Sequence, residues 1–563
     1  GRTIEVPSIE PTADGYAVFT TNSARQFQDF LVLIGRDDLL EDRDLSNPLT
    51  RFQRRKEFLA VVHDYTTKRT TEEVLQSAAL LRVPAGPLLN GSTVTAFEQF
   101  VDRGVFVDAP SGRFRQPRPP YRISGVELRP AAPAPTLGAD TGSIDWPTRP
   151  PPPSSKWQLP LTGIRVLDCT AWWAGPAAPH VLACLGADVI KVESVTRPDL
   201  MRYASAKRPT EDRWWEWGPL FHAVNLGKRG VTLDLSRGEG VAILERLLRT
   251  ADILMENYTP RVMEQFGLTW DRVHEINDHL VMVRMPAFGL SGPWRDRTGF
   301  AQTMESMTGM AWLTGPADGT PVLVRGAGDP IAGIHAVFAA LLALIQRDDD
   351  GAGRLVESTM IEAALNAAAE QVIEYQATGT LSQRSGNRGP LAAPQGVYRC
   401  AGVDSWVAIA VTTDQQWKAL RAMLEDPEWA QDPRLASADG RRANQDRIDE
   451  ELNAWSSQRG SEEIAEMLTA AGVPAGVVTP GPEVPNNPQL RHRRLYEVED
   501  HPVTGHHHIP TMPFKFSRVV DWTTRPSPTL GQHNDEVLGE VATADELAQL
   551  RLNGVIGDRV AGE

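Results

Sequence analysis

The chain has 563 residues, 41% of them hydrophobic, and a formal net charge of −15 at pH 7. A chain of this length has room for about two to four domains with large cores, and its acidic balance argues against nucleic acid as the main partner. No run of about 18 apolar residues is present, so no membrane span is expected. Three cysteines (Cys169, Cys184 and Cys400), without close spacing, argue against a disulfide framework or a zinc site and indicate a reducing, cytoplasmic setting.

Two parts of the chain repeat each other at a constant spacing. Residues 83–86 and 473–476 both read VPAG, an offset of 390 positions, and with a drift of three 133–138 (PAPTLG) matches 526–531 (PSPTLG). Self-similarity at this scale predicts a duplicated domain. Residues 159–395 have no upstream counterpart, so we expect a tandem-fused protein whose first copy is truncated. Restoring the missing 237 residues (395 − 159 + 1) would give an intact chain of about 800 residues.

The pattern along the chain predicts five segments. Residues 1–126 are expected to form the small α+β domain of the truncated copy, and 127–160, rich in Pro and Ala, a linker that includes Pro150–Pro153. Residues 161–395 should form a large domain and 396–520 a second small α+β domain. The C-terminal segment 521–563 is expected to return to the large domain.

The large domain alternates predicted strands and helices. Strands are expected at 163–168, 188–193, 230–235, 253–256, 280–285 and 354–358, with helices ending near 185 and at 239–249, 330–346 and 360–377. This alternation is typical of a Rossmann-like parallel sheet. The second small domain should have strands at 397–400 and 406–411 and helices at 414–424, 444–456 and 461–471. The predicted fold class is therefore α/β, with the small α+β domain present twice.

Asp329 is the residue whose setting most suggests chemistry. The pair Asp329-Pro330 directly precedes a long predicted helix, which makes Asp329 a predicted N-cap with proline at the first helical position. The helix dipole would hold such a carboxylate ionised, and Gly326 and Gly328 would let another group approach closely. A fixed, ionised carboxylate suits a nucleophile, although an Asp-Pro pair is also an ordinary helix start.

A set of short motifs carries a resemblance to a known family. They read GIRVLDCT (163–170), AGP (174–176), LGADVIKVE (185–193), DILMENY (252–258) and GLSGP (289–293). In order and spacing they resemble the family III CoA-transferases, the CaiB/BaiF family, over nearly all of residues 159–540, and the small-domain repeat extends this to 6–138. The resemblance implies the CaiB/BaiF fold and transfer of CoA between an acyl-CoA thioester and a free carboxylic acid. It also implies coenzyme A or acyl-CoA as substrate, with no permanently bound cofactor and no metal.

The same resemblance implies roles for individual residues. Asp329 matches the family nucleophile, which forms an aspartyl-CoA intermediate. The other implied site residues are the CoA contacts Leu233 and Asn257, the basic phosphate candidates Lys191, Arg202 and Arg261, the acyl-pocket residues Trp172 and Trp173, and the oxyanion or loop positions Gly328 and Gly389. The basic residues could equally be solvated surface charges, the tryptophans could serve packing, and Gly389 could lie in an ordinary interdomain turn.

Three other functions are alternatives to CoA transfer. Racemases of 2-methylacyl-CoA among these relatives use a histidine after the glycine that here is Gly299; Phe300 follows instead and cannot carry a proton, which disfavours racemisation. The duplicated architecture also resembles fused CoA-transferase/lyases. A non-catalytic pseudo-enzyme is least favoured, because Asp329 is present. A metal cluster is not expected at His506–His508, since consecutive residues cannot all face one ion and no acidic partner stands at a suitable spacing.

The resemblance also implies an assembly. Family members form interlocked dimers, so the chain is expected to be a homo-oligomer or a pseudo-dimer with the missing first copy. Without its large domain, the first small domain should expose apolar surface. The expected partners are a small-molecule acyl-CoA and a carboxylic acid, with neither nucleic acid nor a membrane.

Overall fold

The computed structural model describes residues 4–148 and 157–562, so the predicted Pro150–Pro153 run lies outside the described residues. The chain forms two compact units. One consists mainly of residues 383–494 with 313–321, and the other contains the remaining described residues, including both the first small domain and the large domain. The described part of the predicted linker has no helix or strand and is largely exposed.

The first small domain is an antiparallel sheet covered by helices. Its strands are β1 (Ile9–Pro11), β2 (Tyr16–Phe19) and β3 (Ala85–Pro87), paired in that order. Its helices are α1 (Ala24–Leu33), α2 (Arg43–Ser46), α3 (Pro48–Gln53), α4 (Arg55–Thr66), α5 (Thr71–Leu80) and α6 (Glu98–Asp102). Capping boxes start two of them, Ser23 with Gln26 at α1 and Thr70 with Glu73 at α5, because each side chain satisfies a free backbone N–H. Three short strands follow: β4 (Phe106–Asp108), β5 (Arg115–Pro117) and β6 (Tyr121–Ile123).

The large domain is built on a seven-stranded sheet. Its own strands are β7 (Arg165–Asp168), β8 (Asp188–Glu193), β9 (Arg229–Thr232), β10 (Ile253–Glu256), β11 (Val281–Arg284) and β12 (Arg354–Ser358). Its helices are α7 (Ala174–Cys184), α8 (Pro219–Asn225), α9 (Gly238–Leu248), α10 (Pro260–Gln265), α11 (Trp270–Ile276), α12 (Ala301–Met307), α13 (Met310–Leu313), α14 (Gly328–Asp350), α15 (Met360–Ala367) and α16 (Ala369–Thr378).

The sheet order is β6-β12-β11-β10-β7-β8-β9, and all neighbours are parallel except β6, which pairs antiparallel with β12. The predicted Rossmann-like parallel sheet is confirmed, because β7 to β12 are parallel and separated by helices. The helix predicted over 360–377 is instead two helices, broken at Ala368. The predicted helix 330–346 is longer and ends where Gly351 takes a left-handed φ of 77°.

The second small domain repeats the first. Its elements are β13 (Gln395–Arg399), β14 (Trp406–Ala410), β15 (Ala475–Val477), α17 (Asp414–Met423), α18 (Ala438–Ala443), α19 (Gln445–Ser456), α20 (Ser461–Ala470) and α21 (Pro488–His492). Adding 390 to the bounds of β3, α4 and α5 gives the bounds of β15, α19 and α20. The small fold is therefore present twice.

The C-terminal segment returns to the large domain earlier than expected. The compact unit of the second small domain ends at Arg494, and residues 495–562 lie in the unit of the large domain. This segment forms the antiparallel hairpin of β16 (Tyr496–His501) and β17 (Gly505–Pro510), followed by α22 (Ala544–Leu552).

The first small domain packs on the large domain, so the apolar surface expected to be exposed is covered. One continuous core joins Phe27 and Phe100 of the small domain to Met304, Met307 and Ile361 of the large domain. Burial of such side chains stabilises the contact by roughly 1.5–3 kcal/mol each. Strand β6 strengthens the same contact, since it extends the large sheet from the side of the first domain.

Helix α14 is long and apolar enough, by length and composition, to cross a membrane. Half of its most apolar window is buried inside the protein, as in a core helix. A single helix of this kind is weak evidence for a membrane span. The three cysteines are free and buried.

Candidate active site

The turn after β7 is held by side chains that follow its two neighbouring strands, β10 and β8. Asn257, just after β10, accepts from the backbone N–H of Ala171 (2.8 Å) and donates to its carbonyl (2.8 Å). Trp172, at a left-handed φ of 69°, donates its N–H to Asp199 (3.0 Å). Because carboxyl ends of parallel strands meet at one edge of the sheet, residues distant in sequence converge on this turn.

Helix α14 begins against this turn. Gly326, at φ 104°, lies so close to Trp173 that an added Cβ would be 2.6 Å from Cζ3 of the indole. One turn into the helix, a Cβ on Gly333 would be 3.1 Å from the carbonyl oxygen of Ala174. Both glycines permit a close approach that larger residues would prevent. The start of α14 is thereby held beside Trp173.

Glu305 organises the segment that leads into α14. This buried carboxylate, on α12, accepts from the backbone N–H groups of Arg325 (2.9 Å) and Gly326 (2.7 Å), with a longer contact to Gly328 (3.4 Å). Glu305 therefore holds the backbone just before α14, and of the helix itself only the N–H of Gly328 faces this carboxylate, at the longest of the three distances. Sequence reasoning missed Glu305; the available signal was an acidic residue between Met304 and Met307, two apolar residues of the same helix.

Asp329 lies inside the first turn of α14 and is not its N-cap. The helix starts at Gly328 after Ala327, and the turn held by Glu305 displaces the start by two residues from the predicted position. The prediction that the helix dipole keeps Asp329 readily ionised is also wrong. Burial, followed by the nearby charge of Glu305, raises the pKa of Asp329 to about 7, because both disfavour the charged carboxylate.

Aromatic rings complete the surroundings of this turn. The ring of Phe300, at the start of α12, meets that of Trp172 edge-on at 5.0 Å between centroids. Trp172, Trp173 and Phe300 are all half-buried. The structure thus groups Trp172, Trp173, Gly328 and Asp329 of the predicted site, and adds Phe300 and Glu305.

Lys191 and Arg202, two predicted phosphate contacts, are fully buried in ion pairs. Lys191 donates to Asp199 (2.9 Å), while Arg202 pairs with Glu193 (2.8 Å) and Glu216 (2.6 Å). Breaking such buried pairs costs several kcal/mol, so these charges favour a structural role. Leu233 is also buried, and its backbone N–H donates to the carbonyl of Glu193 (2.7 Å).

Arg261 has a different setting, which the sequence did not reveal. It lines a cleft of about 110 Å³ together with Arg297 of the large domain and Arg82 of the first small domain; Asp296 is the one acidic residue of that lining. Three guanidinium groups against one carboxylate leave the cleft basic. Arginine side chains pair well with carboxylate and phosphate groups.

Gly389 lies in the compact unit of the second small domain. A Cβ there would be 2.7 Å from the amide oxygen of Gln395, and the preceding Arg388 pairs with Asp449 (2.6 Å). Trp214 and Trp215, two further tryptophans of the large domain, are buried against Leu530. Packing is therefore their observed role.

The family was identified by comparison with known proteins. The model of CoA-transferase family III matches residues 3–141 and 161–534 of the chain. The chain belongs to CoA-transferase family III. The first matched segment contains the first small domain, and the second contains the large domain and the second small domain.

Relatives within family III agree with this assignment. A succinyl-CoA–D-citramalate CoA-transferase of Chloroflexus aurantiacus is 33% identical over 70% of this chain and 98% of the relative. A probable CoA-transferase of Mycobacterium tuberculosis is 29% identical over 96% of this chain and 69% of the relative. The crystal structure of a CaiB/BaiF family protein from Brucella suis has a TM-score of 0.63 and 30% identity, covering 69% of this chain and 100% of that one. The chain is therefore a CoA-transferase with the CaiB/BaiF fold.

Proposed function

We propose that this CoA-transferase moves CoA between an acyl-CoA thioester and a free carboxylic acid through an aspartyl-CoA intermediate on Asp329. The observation that carries the proposal is the carboxyl group of Asp329, held at the start of α14 beside Glu305 with its pKa raised to about 7. About half of it is ionised at neutral pH, and a more basic carboxylate is the stronger nucleophile.

The reaction consists of acyl exchanges that balance. The Asp329 carboxylate attacks the thioester carbonyl and the C–S bond breaks. This releases CoA thiolate and forms a mixed anhydride of Asp329 and the donor acid. The thiolate then attacks the aspartyl carbonyl, which releases the donor acid and forms aspartyl-CoA. The acceptor carboxylate attacks this thioester, and the returning thiolate takes the acceptor acyl group and frees Asp329. Each activated bond is exchanged for another, so no external energy source is needed.

The surroundings of Asp329 support reactive intermediates. Trp172 and Phe300 contact each other edge-on, and Trp173 packs against Gly326, so apolar rings line this turn. Exclusion of water protects an anhydride or thioester from hydrolysis. The N–H of Gly328 is our proposed donor to a tetrahedral oxyanion, because its distance of 3.4 Å to Glu305 is long and the N–H is weakly bound. Gly389 remains a proposed loop position.

Arg261 is the proposed anchor for CoA phosphates, with Arg82 and Arg297 beside it. Asn257 takes part by holding the turn at Ala171, at which the thiol arm would arrive. In this proposal Lys191, Arg202 and Leu233 do not contact CoA directly, because they are buried and already bound to other residues of the large domain.

The repeat of the small fold supports a tandem duplication, in which the first small domain supplies the surface that a second subunit supplies in an interlocked dimer. Its shared core with Met304 and Met307 places it against the helix that carries Glu305. Three free, buried cysteines are compatible with action in the cytoplasm. Racemisation is disfavoured because Phe300 offers no proton carrier.

The test is covalent trapping on the intact chain. After incubation with an acyl-CoA, hydroxylamine should give a hydroxamate at position 329, and borohydride should give homoserine there, both mapped by peptide mass spectrometry. Asp329→Ala should lose label and CoA exchange, whereas Asp318→Ala, an exposed acid, should keep both. A label on another residue, or exchange retained by Asp329→Ala, would refute the assignment.

A further inference from the structure

A second cluster of ligating side chains, which the proposed reaction does not use, joins α8 to the β16–β17 hairpin. His222 from α8, Glu499 from β16 and His507 from β17 each direct one ligand atom inward, and these atoms lie within 4.8 Å of one another. His222 and Glu499 are buried. Two imidazoles and a carboxylate at this spacing form a recognisable metal-ligand set.

The hairpin explains how one histidine of three reaches the cluster. Side chains alternate across a strand, so of the three histidines in β17 His507 turns inward, whereas His506 and His508 are exposed. Glu499 lies directly opposite His507 in the antiparallel register. Consecutive histidines therefore do not share an ion here, as the sequence predicts. The acidic partner that the sequence did not reveal is Glu499, on the neighbouring strand of the hairpin.

The orientation of His222 leaves one nitrogen for a ligand. Its Nε2 lies 2.8 Å from the carbonyl oxygen of Glu216, which can only accept, so this nitrogen carries the hydrogen. Nδ1 lies 3.6 Å from Oε2 of Glu499 and 2.5 Å from the Ser527 oxygen, whose own hydrogen goes to Glu499, so a metal ion at Nδ1 would take the place of this contact. Metal-bound histidines commonly donate their second nitrogen to a carbonyl in this way.

The two carboxylate oxygens of Glu499 have different partners: Oε1 binds Ser527, and Oε2 faces the two histidines. Oε1 accepts from the backbone N–H (2.7 Å) and hydroxyl (2.5 Å) of Ser527. Oε2 lies 2.5 Å from Nε2 of His507, yet neither atom has a hydrogen-bond partner within the described parts of the chain. Buried polar atoms without partners are costly, and a cation next to these two atoms would satisfy both while also meeting Nδ1 of His222.

His501 lies beside the cluster without joining it. Its Nδ1 accepts from the backbone N–H groups of Val503 (3.3 Å) and Thr504 (3.2 Å), so its other nitrogen holds the hydrogen and offers no lone pair. Its ring packs edge-on against His222 at 4.6 Å between centroids. The side chain of His507 is 29% exposed, which leaves a path for an ion.

We propose that His222, Glu499 and His507 bind one divalent transition-metal ion, with Zn²⁺ the best match. Imidazole nitrogens and one carboxylate suit Zn²⁺, whereas Mg²⁺ and Ca²⁺ prefer oxygen ligands only. The ion would join α8 to a hairpin far away in sequence, and so stabilise the return of the C-terminal segment to the large domain. This structural site is independent of the Asp329 chemistry.

The experiment uses the intact chain without an affinity tag, stripped with EDTA and dialysed. Zn²⁺ is titrated against a chromophoric chelator, bound metal is counted by mass spectrometry, and the melting temperature is followed. We expect one equivalent with a sub-micromolar Kd and a rise in melting temperature of several degrees. His507→Ala and Glu499→Gln should each weaken binding at least about 100-fold.

His506→Ala and His508→Ala are the matched controls, since both remove a histidine from the opposite face of the same strand. Both control variants should bind Zn²⁺ with unchanged affinity and show the same rise in melting temperature. Partly exposed His507 makes His507→Ala the variant most certain to fold, and retained CoA exchange would verify its fold. Absence of a tight equivalent in the intact chain would overturn the proposal. So would binding that survives His507→Ala but is lost in the controls, because it would arise from surface imidazoles.

Discussion

Glu305 and Asp329 are two acidic side chains joined through one turn of backbone. Glu305 accepts a 2.7 Å hydrogen bond from the N–H of Gly326, three residues before Asp329, and its charge adds to burial in raising the pKa of Asp329 to about 7. The basicity of the proposed nucleophile thus depends on a residue of another helix, α12.

The first prediction concerns the pH dependence of CoA transfer. Only ionised Asp329 can attack, so kcat/KM should fall about tenfold per unit as pH decreases below about 7, the pKa of its carboxyl group. Glu305→Gln removes the neighbouring charge, so the falling limb should move to lower pH. The kcat/KM of Glu305→Gln at high pH should also be roughly tenfold lower, because an uncharged amide holds the turn before α14 less firmly.

Steady-state rates from pH 5 to 9 check this prediction. Glu264→Gln, which changes an exposed acid on α10, is the control and should leave the profile unchanged. A limb that stays in place in Glu305→Gln would show that Glu305 acts only by holding the backbone.

The second prediction concerns stability. The folded-state pKa of Asp329 (about 7) is above the ordinary aspartate value of 3.8, so ionisation destabilises the fold. This loss of folding free energy is absent below about pH 4, grows as the pH rises between the two pKa values, and is complete above about pH 7. Asp329→Asn should therefore gain about 2–4 kcal/mol at pH 8 and almost nothing at pH 4.

Melting temperatures of both proteins at several pH values measure this gain, with mass spectrometry to exclude deamidation of the new asparagine. An equal gain at both ends of the pH range would mean that it does not arise from ionisation of Asp329.

The third prediction tests the contact between Gly326 and Trp173. Gly326→Ala places a Cβ 2.6 Å from the indole and forces alanine to a φ of 104°. Both effects should shift the turn before Asp329 and lower kcat by about 10- to 100-fold. Gly238→Ala, at the start of α9 with open space around its Cβ, should leave kcat unchanged. A normal rate for Gly326→Ala would show that the turn tolerates displacement.

The parts of the fold that depend on local pattern could be predicted from the sequence. Strands β8, β10 and β12 have the predicted bounds, because apolar runs between breakers are a local signal. Strand β6 could not be predicted, since its three residues are stabilised by pairing with β12, far along the chain.

The candidate site divides in the same way. Asp329 could be found from its neighbours Gly328 and Pro330 and from family motifs. Its pKa could not, because the responsible burial and the charge of Glu305 come from tertiary packing. Likewise, the sequence shows the charge of Arg202 but not the buried Glu193 and Glu216 that neutralise it.

The last prediction separates the two small domains. Gly86 on β3 and Gly476 on β15 are equivalent positions of the repeated fold, but their surroundings differ. A Cβ on Gly86 would be 2.7 Å from the sulfur of buried Met307, on the helix that carries Glu305. Around Gly476, apart from its two chain neighbours, no described atom lies within 4 Å of the added Cβ.

Gly86→Val should therefore overpack the core shared with α12, lower stability by about 1–3 kcal/mol and reduce CoA transfer by displacing Glu305. Gly476→Val should be neutral or slightly stabilising, because valine favours strands and meets no obstacle. Melting temperature and initial rates of the two variants, measured side by side, check the difference. Equal effects of the two substitutions would mean that the first small domain does not position α12, and its role in the site would have to be abandoned.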